Sequence, residues 1–297
     1  MCCLLFMVAP SFAATLAVVY PKVPAPHDEL YKQIIGGIER QFEGTIDLIE
    51  VPHRLKKTEA SKLAQQLDEQ NPTMVITLGR SGRMVGRLLK SGVPWVSGAY
   101  LIRPNGSAGI TPIADPNVMF ENLKELAPEV KRIYVVYSSS NQWLIELSSE
   151  AAQRAGYEFF SFKVKNITET LAKYDDLIKN TVTPNDAIWL PIDRYSAETD
   201  SVVPMIIEQA WEKRFVVFSS RPELVRRGVL FSFMPDNEVT GIELVKMVES
   251  LRSKTMLPMV KTTSVVSLAV NLRTASHLGL EYTQKQKGRF LVTFPTQ

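Results

Sequence analysis

The sequence predicts an α/β protein built from two units in tandem, each a parallel β-sheet covered by helices on both faces. Along the chain, short runs of β-branched or aromatic residues alternate with segments of helical period. The connections between them are short, and such alternation favours parallel sheets. The alternation breaks once, in the Gly-, Pro-, Asn- and Asp-rich stretch 105–117, and then restarts. The length of 297 residues fits two domains of about 150 residues each.

The first half contains predicted strands at residues 15–20, 46–51, 74–78 and 94–97, each an apolar or β-branched run. Helices are predicted between them because apolar residues recur at helical spacing. The residues of the first two stripes are Leu30, Ile34, Ile35, Ile38 and Phe42, then Ala60, Leu63, Ala64 and Leu67. A third helix is predicted at 81–90. Each stripe would cover one face of a sheet.

The second half shows the same alternation of strands and helices. Strands are predicted at residues 132–137, 158–164, 187–190, 215–218 and 229–233, and helices at 143–155 and 167–179. A further helix carries the apolar residues Val203, Ile206, Ile207, Ala210 and Trp211. A helical segment at 237–251 and short runs at 265–270 and 290–294 are too few for a third domain. We therefore expect them to return and complete the first two.

The composition argues against several classes of function. Lys and Arg number 34 against 31 Asp and Glu, a net charge of +3, which is too balanced for a nucleic-acid-binding protein. Three histidines and two cysteines leave little material for a zinc site, and no cofactor or metal motif is present. With 45% hydrophobic and 22% charged residues, the chain has the composition of a soluble globular protein rather than a disordered one.

The N-terminus predicts export. Residues 2–9 are apolar, and Ser11 and Ala13 occupy the small-residue positions of a cleavage site after Ala13. We expect residues 1–13 to be a signal peptide whose basic region is truncated, as a start codon assigned too far downstream would explain. The alternative is a buried N-terminal strand. Because both cysteines precede the cleavage site, the exported chain would have none, and we expect it in the periplasm.

Small hydroxyl, amide and charged residues follow strand after strand in both halves. In open α/β sheets, ligands bind at the carboxyl ends of the strands. The third strand runs into Gly-Arg-Ser-Gly-Arg at 79–83, where backbone amides and Ser81 could hold an anion. The alternative is that Ser81 only caps the helix and that the arginines are solvated. The recurrence of such residues in both halves favours a polar binding site.

Catalytic residues are sparse. A Ser-His-Asp triad can be assembled on paper from His27, Asp193 and a serine, but no nucleophile-elbow GxSxG supports it. The paired carboxylates Asp175 and Asp176 fall within a helix and are expected in solvent. The sequence therefore favours a binding protein over an enzyme, and a hydrolase-like enzyme is kept as the alternative.

Several motifs resemble one family. The C-terminal run VNLRTA at 270–275 with HLGL at 277–280 is similar to the signature of ABC-transporter substrate-binding proteins of the tryptophan- and tyrosine-binder type. Asp115-Pro116, LAPEVKR at 126–132 and GVLFS at 228–232 match in the same order. The resemblance implies the type I periplasmic-binding fold, in which two Rossmann-like lobes are joined by three crossings and close on a ligand. We expect lobe 1 at 14–113 plus about 236–264, and lobe 2 at 114–235 plus about 265–297, with crossings at 110–117, after Phe233 and near 260–270.

The resemblance also implies a ligand site at the strand ends and a membrane partner. The predicted ligand-binding residues are Tyr20, Arg80, Ser81, Ser97, Ser139, Asn141, Asp193, Arg194, Tyr195 and Ser219. Arg80 and Arg83 depart from the small or hydroxyl residues usual in the family after the third strand, and Arg194 follows Asp193. Guanidinium groups favour carboxylate or phosphate. We therefore expect a small, carboxylate-bearing solute such as an amino acid. The expected partner is an ABC permease of the inner membrane or, if the protein is a sensor, a membrane receptor, and the expected state is a monomer.

Overall fold

A computed structural model of the chain describes residues 14–90 and 92–295. The predicted signal peptide lies outside the described residues. The contacts divide the chain into two units. The first comprises the described residues up to Thr111 together with Asn237–Lys261, and the second comprises Pro112–Asp236 with the described residues from Thr262 onward. The chain therefore passes between the units three times. In the described part of the chain, no helix combines the length and apolarity needed to cross a membrane.

The first unit is built around a sheet whose strands lie in the order β11-β5-β4-β3-β1-β2. The pairings of β1 with β2 and β3, of β3 with β4 and of β4 with β5 are parallel. Its strands are β1 (Thr15–Lys22), β2 (Thr45–Pro52), β3 (Met74–Leu78), β4 (Trp95–Gly98), β5 (Gly109–Ala114) and β11 (Val260–Thr263). Its helices are α1 (Asp28–Gln41), α2 (Lys57–Gln70), α3 (Gly79–Gly86) and α8 (Asn237–Arg252).

Alternate residues of β1 serve the two faces of this sheet. Leu16 and Val18 belong to a buried cluster with residues of α1 and α8. Ala17 and Val19 belong to a second cluster with residues of α2 and α3. Because successive side chains of a strand point to opposite faces, helices cover both sides, as the fully apolar strands predict.

The second unit is built around a sheet with the order β13-β12-β10-β9-β8-β6-β7. All the pairings given for this sheet are parallel except that of β10 with β12. Its strands are β6 (Arg132–Ser138), β7 (Glu158–Val164), β8 (Asp186–Leu190), β9 (Val216–Ser219), β10 (Phe231–Pro235), β12 (Val266–Asn271) and β13 (Phe290–Phe294). Its helices are α4 (Pro116–Leu126), α5 (Gln142–Ala155), α6 (Ile167–Asn180), α7 (Val202–Lys213), α9 (Leu272–His277) and α10 (Gln284–Lys287), with 3-10 turns at Ser139–Asn141 and Pro222–Arg227.

The predicted α/β class is confirmed, since both sheets consist mostly of parallel strands. Several elements were not predicted, among them β5, α4, β11 and α10. The stretch 105–117, predicted to be an irregular crossing, contains strand β5, in which Ile110, Ile113 and Ala114 are buried. Helix α4 also escaped prediction, although Asp115 caps its first turn by accepting a hydrogen bond from the Asn117 amide. Pro, Asp and Asn here mark the start of a helix rather than an interruption of order.

Candidate ligand-binding site

Helix α3 is held close to the sheet of the first unit by three glycines. Gly79 follows β3 directly and has φ of +67°, a left-handed conformation that disfavours other residues. A Cβ on Gly82 would lie 2.5 Å from the Val19 carbonyl oxygen, and one on Gly86 would lie 2.7 Å from the Trp95 ring. The helix therefore begins at Gly79, not at Ser81 as predicted, because the glycines allow its first turn to pack directly on β1.

The same helix presents a row of arginines. Arg80 and Arg83 lie within α3, and Arg87 directly follows its last residue in a helical backbone conformation. Their spacing of three and four residues places the three side chains on one side of this segment. They line a cavity of about 530 Å³. The other lining residues are Lys57, Met84, Leu88 and Tyr100. The cavity wall thus carries four cationic side chains and no carboxylate.

Arg83 is the buried member of this row, with only 7% of its surface exposed. Its Nη1 donates to Ser97 Oγ at 3.3 Å, and its Nη2 donates to Ser107 Oγ at 2.9 Å. Burial lowers the pKa of its guanidinium, and the charge of Arg87 lowers it further. In the part of the chain that the structure describes, no carboxylate forms an ion pair with Arg83. The partners of its guanidinium within the described residues are therefore the two serine hydroxyl groups.

The other residues predicted in this unit lie around the same strand ends. Ser97 Oγ lies 2.8 Å from Thr77 Oγ1, so the end of β4 joins the hydroxyl network that meets Arg83. Ser81 is buried, and its hydroxyl donates to the His53 carbonyl at 2.7 Å. The Ser81 hydroxyl proton is therefore already used in a hydrogen bond within the protein. Tyr20, near the end of β1, is partly buried against the core.

In the second unit, Asp193 accepts hydrogen bonds from residues that follow or end the adjacent strands β6 and β8. One carboxylate oxygen accepts hydrogen bonds from the Ser138 amide and hydroxyl, at 2.9 and 2.7 Å, and from Asn141 Nδ2 at 2.8 Å. The other accepts from the amides of Tyr195 and Ser196 at 2.9 and 3.2 Å. Burial raises the pKa of Asp193, but these hydrogen bonds outweigh it and the pKa is lowered. Among the described residues, no histidine forms a hydrogen bond with this carboxylate.

The remaining predicted residues of the second unit border this carboxylate cluster. Ser219 is buried, and its hydroxyl donates to the Leu190 carbonyl at 2.9 Å. Ser139 and Arg194 are exposed. The Arg194 guanidinium lies 5.5 Å from the centre of the Tyr195 ring, which leaves a polar and an aromatic group together at the surface. The structure thus brings together the predicted residues within each unit, while their contact with a ligand stays a prediction.

The C-terminal motif has a structural explanation in the second unit. Asn271 caps α9 by accepting from the Thr274 amide at 3.0 Å, and its Nδ2 donates to the Val225 carbonyl at 2.8 Å. Thr274 donates to the Gly228 carbonyl. These bonds tie the strand–helix corner to the turn before β10. A larger cavity of about 690 Å³ adjoins this corner. Because β12 is antiparallel to β10, the corner lies at the amino-end edge of the parallel strands, away from Asp193.

Two cationic residues of this cavity were not predicted from the sequence. Arg87 lies beyond the residues that directly follow β3, although its spacing from Arg80 and Arg83 predicts a shared helix face. Lys57 begins α2, and only the packing of α2 against α3 shows its relation to the arginines.

Comparison with known proteins agrees with the architecture. The chain is similar to a protein described as the ABC domain in complex with L-Trp from Streptococcus pneumonia, with 20% identity over 95% of this chain and 100% of that one and a TM-score of 0.54. It is similar to the ligand-free, open structure of a substrate-binding protein with adhesive properties from Clostridium difficile, with 16% identity, 96% and 100% coverage and a TM-score of 0.65. These likenesses confirm the type I periplasmic-binding fold. None of the curated proteins compared with the sequence matches it.

The family comparison reaches the same conclusion from the sequence itself. The model of the family described as ABC transporter substrate binding protein matches residues 99–286, which is more than half of the 297-residue chain. The matched stretch includes the cap of α4, the Asp193 cluster and the Asn271 corner. Members of this family bind a small-molecule solute and deliver it to a membrane permease. The protein therefore belongs to the family of ABC transporter substrate-binding proteins.

Proposed function

We propose that the protein is an extracytoplasmic solute receptor of an ABC uptake system and that its ligand is a small, carboxylate-bearing solute such as an amino acid. The observation that carries this proposal is the buried Arg83, which is bonded to two serines and faces a cavity without a carboxylate. A guanidinium in this setting has N–H groups left to donate to an anion. An acidic solute would supply the missing negative charge.

The roles of the other predicted residues follow from their surroundings. The amides at the start of α3 and Arg80 would orient the carboxylate, since helix amino ends favour negative charge. Arg194 and Tyr195 are accessible and would contact the remainder of the solute. Asp193, with both oxygens already bonded, would hold the Ser138 backbone and the Asn141 side chain in position. Closure of two lobes on the ligand stays a prediction of the family resemblance.

The family relation supports binding without chemical conversion. The Streptococcus relative is described in complex with L-Trp, a carboxylate-bearing amino acid, which supports the same ligand class here. A substrate-binding protein of this family would release its solute unchanged to the permease.

Ligand-dependent stabilisation tests the proposal. The purified protein should be melted with a panel of amino acids, other organic acids, neutral sugars and polyamines. A true ligand at about 100 times its Kd adds about 2.7 kcal/mol to the free energy of unfolding. We expect an acid to give the largest stabilisation and to be recovered unchanged by chromatography. Stabilisation by a neutral sugar as strong as that by any acid would reject the acidic ligand, and conversion of the ligand would indicate an enzyme.

A further inference from the structure

The cationic cavity holds more positive charge than one carboxylate can neutralise. Its wall carries Lys57, Arg80, Arg83 and Arg87, and none of these four forms an ion pair with a carboxylate of the described residues. Several arginines elsewhere do form ion pairs, among them Arg40 with Glu238, Arg132 with Asp186, Arg221 with Glu223 and Arg289 with Glu125. What distinguishes the cavity is that four cationic side chains line one wall with no carboxylate among the lining residues.

This arrangement opposes folding unless an anion compensates it. Like charges three and four residues apart on a helix repel each other, and Arg83 is desolvated as well. Replacement of Arg80 or Arg87 by a neutral residue would relieve this repulsion with little change in packing, because both side chains are exposed. A row of like charges whose repulsion lowers the stability of the fold is a feature of functional sites.

The shape of the cavity indicates how an anion would be held. Arg83 forms the floor and is fixed by Ser97 and Ser107, so its remaining N–H groups have a set direction. Arg80 and Arg87 lie one turn to either side of it, and Lys57 approaches from the start of α2. Arginine forks match oxyanions with two or more acceptor oxygens. Met84, Leu88 and Tyr100 complete the wall and would contact the apolar part of a solute.

We infer that this cavity binds the head of a solute that carries at least two negative charges there, either a phosphoryl group or a pair of carboxylates. The inference rests on the proposed receptor function and refines its ligand: a pair of carboxylates would stay within the carboxylate-bearing class, whereas a phosphoryl group would replace the carboxylate as the recognised anion. A monocarboxylate amino acid would leave most of the four positive charges without a partner. A volume of about 530 Å³ is ample for a dianionic head and part of its carrier.

The test compares anions of different charge on the full-length protein. The probes are inorganic phosphate, glycerol 3-phosphate, succinate, citrate and the monocarboxylate amino acids alanine and tryptophan. Dissociation constants are measured by calorimetry at low and moderate salt for the wild type and for Arg80→Gln, Arg87→Gln and Lys57→Gln. The control is Lys62→Gln, which removes one exposed positive charge from α2 outside the cavity.

We expect at least one dianion to bind at least tenfold more tightly than either amino acid, with affinity falling as salt rises. Arg80→Gln and Arg87→Gln should each weaken that binding at least tenfold without lowering the melting temperature of the ligand-free protein. Lys62→Gln should leave the affinity unchanged. Comparison of the phosphate probes with succinate and citrate then identifies which kind of dianion is bound.

Three results would overturn the inference. An amino acid that binds more tightly than every dianion, with equal affinity in the arginine variants, would reject it and leave the proposed function standing. Equal weakening in Lys62→Gln would show a general response to charge rather than a site. Absence of binding by all the probes would reject the dianion class, and the proposed function would then be decided separately by its wider solute panel.

Discussion

Asp193 shows how a single residue can hold two strand ends together. It was predicted to bind the ligand, which stays a prediction, and in the structure the residue is 8% exposed and its carboxylate accepts five hydrogen bonds from neutral groups. Three of those donors lie at the end of β6 and two lie just after β8. An ionised acceptor is the only charge state that matches five donors at once. The sequence indicated a polar residue at a strand end, but only the structure shows that its partners are internal.

Replacement of Asp193 by Asn should destabilise the protein in a pH-dependent way. The amide would place N–H groups against donors, and we expect a loss of about 2 to 3 kcal/mol at pH 7. Because the folded state lowers the pKa of Asp193, the ionised carboxylate stabilises the fold above about pH 4, its ordinary range. This contribution disappears as the pH falls through the lowered pKa.

Urea unfolding of the wild type and Asp193→Asn between pH 3 and pH 7 measures this difference. The gap between the two proteins should be constant above pH 5 and should narrow in acid. A gap that stays constant down to pH 3 would show that the carboxylate charge contributes nothing. Asp175→Asn, at an exposed site in α6, serves as the control and should change stability by less than about 0.5 kcal/mol.

At the scale of elements, the sequence predicted most helices and strands, but it did not predict how closely a helix such as α3 packs on the sheet. The spacing of apolar residues gave α1, α5 and α6 because their buried faces are periodic. It placed α3 two residues late at its start and four residues late at its end, because glycine and arginine interrupt the usual apolar stripe. Close backbone contact there comes from residues without side chains, and propensity alone takes such glycines as loop signals. The extension of the helix to Gly79 places Arg80 within it, one turn before Arg83.

Two adjacent glycines in α1 should respond to alanine in opposite ways. A Cβ at Gly37 would overlap the Glu238 carbonyl oxygen at the start of α8, whereas nothing lies within 4 Å of a Cβ at Gly36. Gly36→Ala should therefore stabilise the protein by about 0.5 to 1 kcal/mol, the difference in helix propensity. Gly37→Ala should destabilise it by about 1 to 3 kcal/mol because the helices must move apart. Thermal unfolding of both variants decides, and equal effects would contradict the close packing of α1 on α8.

The Asn271 corner offers a second test at this scale. Asn271→Ala would remove the cap of α9 and one of two hydrogen bonds to the buried Val225 carbonyl, which would still accept from the Gly228 amide. We expect a loss of about 1 to 3 kcal/mol, the sum of a helix cap and one buried hydrogen bond. Arg273→Ala, two residues on and exposed, should cost much less. If solute affinity fell in Asn271→Ala while stability did not, the motif would belong to the ligand site instead of the scaffold.

At the scale of the whole molecule, two of the three passages between the units run through β-strands. The first passage runs through β5 and the third through β11, which are neighbours in one sheet. The Asp115 amide donates to the Thr263 carbonyl at 2.8 Å, and Thr262 Oγ1 donates to Asp115 Oδ2 at 2.7 Å. The predicted crossings at 110–117 and 260–270 contain these residues. Two of the passages are thus tied together, which would make them move as one element.

The family resemblance predicts that the ligand shifts an equilibrium between open and closed forms. A solute can do so only by its difference in affinity for the two forms, so the effect must follow occupancy of the site. We expect the radius of gyration in X-ray scattering to fall on saturation with a ligand that stabilises the wild type. At a solute concentration near the wild-type Kd, a variant with at least tenfold weaker binding, such as Arg87→Gln, would be about one-tenth occupied or less and should show a correspondingly smaller fall. An unchanged radius in the saturated wild type would contradict closure, and an equal fall in both proteins would assign the change to the solvent rather than to binding.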